Sequence, residues 1–163
     1  MSGWFVVNSR EAQWHDAGGF GVYCAFEGEE RFEQLGINLN VLYPGQSNGL
    51  YHREGAQENF LVLAGKCLLL IEGEERLLRP WDFVHSPPGT DHILVGAGEG
   101  PCLFIGVGAR PSRSVVYPVS GVARKHGVAV AREATSPAEA YAQFPTNPRG
   151  TPTTYREGWL PDF

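Results

Sequence analysis

Four residues in two short stretches have the types and spacing to hold a metal ion. Tyr51 to Gly65 reads Y-H-R-E-G-A-Q-E-N-F-L-V-L-A-G, and Pro87 to His92 reads P-P-G-T-D-H. His52 and Glu54 sit two apart, so on an extended strand they share a face. Gly55-Ala56-Gln57 is a Gly-led polar turn. Glu58 then opens an apolar run in which Glu58, Phe60 and Val62 share one face and Asn59, Leu61 and Leu63 the other. A second strand folded back on the first brings Glu58 beside His52 and Glu54, and the Pro-Gly turn delivers His92. Two imidazoles and two carboxylates suit a divalent transition metal. Fe, Mn, Zn and Ni all accept such ligands, so the sequence does not rank them. The same residues also fit a plainer reading, a half-solvated mouth whose His and Glu side chains only hydrogen-bond one another.

Both stretches must be carried by strands. Leu35 to Tyr43 alternates, with Leu35, Ile37, Leu39 and Val41 on one face and Asn38 and Asn40 on the other. Pro44-Gly45 closes that strand. After the first stretch the pattern predicts strands at 66–71, 76–78, 82–85, 92–95 and 102–107, with turns between them. Earlier strands are expected at Trp4–Val7 and Phe20–Phe26. Many short strands at this spacing predict a closed or sandwich-like all-β fold. His85 alternates with Phe83. It is either a lumen contact, as Phe60 would be, or a strand histidine satisfied by a neighbour.

Taken together, these residues resemble the cupin superfamily, in its small single-domain, metal-binding form. Gly45, His52-x-Glu54, Glu58 and Gly65 follow the first cupin motif, with Glu54 where the family has a second His. Pro87, Gly89 and His92 follow the second motif. Trp81 replaces the Gly that precedes its Asp, here Asp82, and Gly96 replaces its closing Asn. The resemblance covers about residues 35–108. It implies a double-stranded β-helix, the jelly-roll barrel, with His52, Glu54, Glu58 and His92 on the metal. It also implies a metal-dependent enzyme, a dioxygenase or isomerase, acting on a small oxygen-rich metabolite. A non-catalytic binder or sensor of small molecules is the alternative. Sheet-to-sheet pairing into a homodimer is implied as well, and apolar residues on both faces of 61–63 and 68–70 agree with it.

The rest of the chain is consistent with one domain over 1–163, its barrel followed by an extension over about 115–163. Val115 to Val119 is expected to be a further strand. Ser120 to His126 has a short-helix pattern, and Ser136, Pro137 and Glu139 form an N-cap, N1 and capping-box signature. The tail from Thr146 reads as irregular, pinned by Trp159 or Phe163. Hydrophobic residues make up 42% of the 163, enough for a sizeable core. A net charge of −5 without a basic, aromatic-rich patch argues against nucleic acid as partner. No apolar run reaches membrane-spanning length. The N-terminus lacks the basic start and apolar stretch of an export signal. Three widely spaced cysteines, Cys24, Cys67 and Cys102, read as reduced, buried thiols of a cytoplasmic protein.

Overall fold

The computed structural model describes residues 3–110, 112, 114–145 and 149–162. Among these residues twelve strands form in chain order: β1 (Trp14–Asp16), β2 (Val22–Ala25), β3 (Leu35–Leu42), β4 (Arg53–Glu54), β5 (Glu58–Ala64) and β6 (Lys66–Ile71) come first. They are followed by β7 (Glu74–Leu78), β8 (Phe83–Ser86), β9 (His92–Ala97), β10 (Cys102–Ala109), β11 (Val115–Val116) and β12 (Thr151–Thr153). Seven pair antiparallel in the order β12-β1-β2-β3-β10-β5-β8, and three more in the order β7-β6-β9. The architecture is all-β with short helices, as the sequence pattern implies.

The principal core lies between these two sheets. Leu42, Phe60, Val62, Val84 and Phe104 of the large sheet meet Leu69, Leu78 and Leu94 of the small one. The alternation read in β3 is confirmed with a division of labour. Leu39 and Val41 are buried on the outer face against Trp14 and Trp159, while Asn38 and Asn40 point into the cavity described below. The outer face of the small sheet is covered by the chain after β11. There α1 (Gly121–Lys125), capped by Ser120, packs Ala123 against Leu70 and Ile93.

Local chemistry explains the turns. The β6–β7 hairpin has a two-residue loop, Glu72-Gly73, with positive φ at both positions (48° and 81°), the form whose twist matches the flanking strands. Trp81 has φ 76° where the cupin pattern has Gly. The left-handed conformation is therefore a requirement of the turn, and an exposed Trp adopts it at a cost of about 1–2 kcal/mol. The second helix, α2 (Pro137–Tyr141), starts as its sequence predicts, with Ser136 Oγ accepting from Glu139 N at 3.3 Å.

Four expectations are corrected. Trp4–Val7 forms no strand, because the open edge of β1 is occupied by β12. The strand expected over 115–119 extends only over Val115–Val116. The tail is not wholly irregular, since Thr151–Thr153 pairs with Trp14–Asp16 and Trp159 stacks on Trp14 with ring centroids 5.0 Å apart. Phe163, the other expected anchor, lies outside the described residues. Finally, Cys67 and Cys102 are not free thiols. They form a disulfide between β6 and β10, with Cα atoms 5.9 Å apart, and only Cys24 is a free, buried thiol. Apolar strands conceal this pairing, because it is the packing of one sheet on the other that brings the two residues together.

Candidate metal centre

Backbone bonds join the two stretches before any side chain is considered. His52 N–H donates to His92 O at 3.2 Å, and His92 N–H returns the bond to His52 O at 2.8 Å. Gly89 N–H, in the Pro-Gly turn, donates to Glu54 O at 2.7 Å. This clasp sets the two imidazoles with ring centroids 5.1 Å apart. Glu58, the first residue of β5, projects from the adjacent strand of the large sheet between them. Ligand atoms of His52, Glu58 and His92 all lie within 4.8 Å of one another.

The proton positions suit a metal. His52 Nδ1 is 2.8 Å from Leu50 O, and His92 Nδ1 is 2.9 Å from Thr90 O. Because a carbonyl only accepts, both rings carry their proton on Nδ1 and present a bare Nε2 lone pair. Backbone carbonyls in this role fix the tautomer and orientation of metal-bound histidines. His92 Nε2 stands 3.1 Å from Glu58 Oε2, yet both atoms are buried without a hydrogen bond. With the His92 ring neutral, two buried acceptors face each other, and either a metal ion or a second proton on His92 relieves them. The donor set therefore fits a divalent ion.

Glu54 is set apart from these three. Its Oε1 lies 3.7 Å from His52 Nε2, but it does not join the mutually close set. Burial, and then the charge of Glu58, push its pKa up to about 7. Glu58 behaves differently: burial opposes its ionisation, but His92 and His52 outweigh that and hold its pKa below the usual range. Burial, and then His92, hold His52 low and therefore neutral. Glu54→Ala is accordingly expected to leave metal affinity within about threefold of wild type, less than the ~10-fold minimum seen for lost supporting partners. A calorimetric titration showing a large loss would place Glu54 on the metal.

His92 carries a pH consequence. Burial works against its protonation, but Glu58 more than compensates and raises its pKa above the ordinary 6.5. Metal needs the neutral ring, so proton competition sets in at a higher pH than for a free imidazole. Metal affinity is expected to fall as pH drops through the raised pKa. An affinity flat between pH 8 and pH 6 would contradict this.

A cavity of about 780 Å³ is lined by His52, Glu54 and Glu58. Phe60 lines it, its ring centroid 5.5 Å from that of His92. His85 does not. It pairs with Asn59 across β8 and β5, on the exposed outer face, and its Nδ1 lies 2.8 Å from Asn59 Oδ1. Val84 and Ser86 take the inward positions instead. Two tyrosines of the extension line the cavity without having been singled out in the sequence. Tyr117 lies beside His52 at 5.8 Å between ring centroids, and Tyr141 Oη accepts from Leu50 N at 3.0 Å. Burial raises both phenols, so they remain protonated donors. Nothing in their spacing marks them; only the folding back of the extension brings them to the site.

Comparison with known proteins agrees with this architecture. The family described as "Cupin domain" matches residues 39–108. Residues 39–108, under half of the chain, thus form a cupin domain. A sugar phosphate isomerase of the cupin superfamily from Silicibacter pomeroyi is similar in structure at TM-score 0.52 and 26% identity, over 58% of this chain and 62% of that one. The match therefore spans less than two thirds of that protein's length. KdgF from Halomonas (TM-score 0.56, 23% identity, 66% of this chain and 94% of that one) shares the fold. So does the polyketide cyclase RemF from Streptomyces resistomycificus (TM-score 0.59, 15% identity, 69% and 83%). No curated protein matches the sequence.

Proposed function

We propose that this protein is a metal-dependent enzyme, isomerase-like, acting on a small oxygen-rich metabolite. The observation that carries the reading is the pair of orphaned, buried acceptors on Glu58 and His92 beside the bare Nε2 of His52. In this reading His52, Glu58 and His92 hold a divalent ion, whether Fe, Mn, Zn or Ni. Such an ion supplies Lewis-acid polarisation of a ligand's carbonyl or enolate oxygen. Glu54, with its pKa near neutrality and its carboxylate about a third exposed, is placed to take and return a proton. The protonated Tyr117 hydroxyl donates to ligand oxygen. Arg31 lines the cavity, where its charge already acts on Glu54, so it suits an anionic group. The Silicibacter sugar phosphate isomerase makes a sugar phosphate a natural first substrate to test.

A dioxygenase is the second reading, favoured by the two-His, one-carboxylate set, the type used by iron oxygenases. Metal analysis of protein purified without chelator comes first, followed by isomerisation assays on aldose and ketose phosphates and by oxygen uptake after Fe(II) loading. Protein that takes up no divalent metal rejects both readings. Metal-loaded protein that binds such compounds without turnover leaves the non-catalytic binder.

The small-molecule ligand is proposed with residues 1–163 acting as one cupin unit. We also propose a homodimer, because Leu35, Ile37, Trp81 and Phe83 leave apolar surface exposed on and beside the large sheet. Light scattering at micromolar concentration should give twice the 17.8 kDa chain mass, and a monomer mass would reject it. The expectation of a cytoplasmic protein loses the support of reduced thiols, since Cys67 and Cys102 are paired. No helix among the described residues is long and apolar enough to cross a membrane.

A further inference from the structure

Beside the three ligands, the cavity wall has an unusual make-up. The strand register places Glu58 opposite Gly108, and Gly108 opposite Gly36, in one row across β5, β10 and β3. The next row is Phe60, Gly106 and Asn38, and Asn40 stands in the row beyond. Gly106 and Gly108 are in strand interiors, where glycine weakens a sheet. Neither has a positive φ that would require it. Close packing does not require it at Gly108 either: an added Cβ there would meet only Glu58, at 3.8 Å from Oε1. What the missing side chain preserves is open space next to the carboxylate. Facing that space, Asn38 and Asn40 project two carboxamides that make no side-chain hydrogen bond among the described residues.

We infer that Gly106 and Gly108 form a shelf on which the carbon chain of a polyhydroxylated ligand lies, with Asn38 and Asn40 hydrogen-bonding its hydroxyl groups. This deepens the proposed function and rests on it, because one end of the ligand must meet the metal held by His52, Glu58 and His92. Each carboxamide offers both a donor and an acceptor, which matches a hydroxyl's own dual character. A shelf without side chains lets the chain pass close to the sheet. Phe60 provides the apolar edge against which C–H groups pack. The residues therefore select a short polyol or sugar acid over a flat or wholly apolar compound.

Zn-loaded protein provides the test, with two chelating probes of unequal length. Acetohydroxamate reaches only the metal, whereas the four-carbon erythronohydroxamate adds a hydroxylated tail. Two neutral hydrogen bonds are expected to make the longer probe bind about tenfold more tightly by calorimetry. Asn38→Ala/Asn40→Ala should erase that ratio while leaving zinc content and acetohydroxamate affinity unchanged. Gly108→Ala should erase it too, with a melting temperature equal to or above wild type, so that unfolding cannot account for the loss. Equal affinities for the two probes in wild type, or a ratio that survives the substitutions, would overturn the shelf. Failure to retain zinc at all would instead overturn the metal reading beneath it, and the shelf with it.

Discussion

Glu58→Gln is expected to lower divalent-metal affinity by more than about 100-fold, beyond the 10–100-fold loss that follows removal of a supporting partner. Glu58 contributes the anionic atom between two neutral imidazoles, and a carboxamide keeps its shape but not its charge. Glu58 Oε2 pairs with His92 only when that ring is protonated, so the variant is compared with wild type above the raised pKa of His92, where the ring is neutral and no ion pair is lost. The metal-free variant should accordingly remain folded, with a melting temperature close to that of metal-free wild type. Glu54→Ala, by contrast, is expected to keep its metal, so the two carboxylates separate cleanly in one titration series. Affinity retained in Glu58→Gln would mean that the three residues do not act together on an ion.

The second large effect concerns stability. Cys67 and Cys102 are 35 residues apart in sequence and tie the two sheets together across the core. Closing a loop of that size in the unfolded chain is expected to contribute about 4 kcal/mol. Cys67→Ala/Cys102→Ala should therefore lower the melting temperature by roughly 10 °C. Both cysteines are fully buried, so a reductant reaches the bond only when the barrel opens. Counting thiols in denaturant gives an independent check. One reactive thiol, Cys24, is expected under non-reducing conditions, and a count of three would show the bond to be absent.

The site was legible in the sequence because a strand has a period of two. Once Glu58 begins a strand, Phe60 and Val62 must share its face, and they do. His52 and His92 were legible because a turn precedes each and the two turns meet. The same rule misleads where its origin is uncertain. In β8 the inward set is Val84 and Ser86, and only the pairing of Leu61 with Phe83 on the outer face reveals it. Parity alone therefore leaves His85 open between the lumen and a strand position satisfied by a neighbour, and Asn59 is that neighbour. Tyr117 and Tyr141 belong to the extension, whose path over the barrel depends on tertiary burial at Leu50, Val130 and Ala140. No periodicity within the extension encodes that path. The disulfide is hidden for the same reason, since hydrophobic strands give a cysteine no mark that distinguishes pairing from packing.

The backbone clasp between His52 and His92 makes ion capture a matter of chain closure as well as coordination. Each imidazole is carried by a residue whose own amide bonds the carbonyl of the other. Pulling the two rings toward one ion therefore holds those two amides in place, and releasing the ion lets the junction breathe. Deuterium uptake at His52 and His92 should then slow as the site fills, a local gauge of occupancy that requires neither substrate nor turnover.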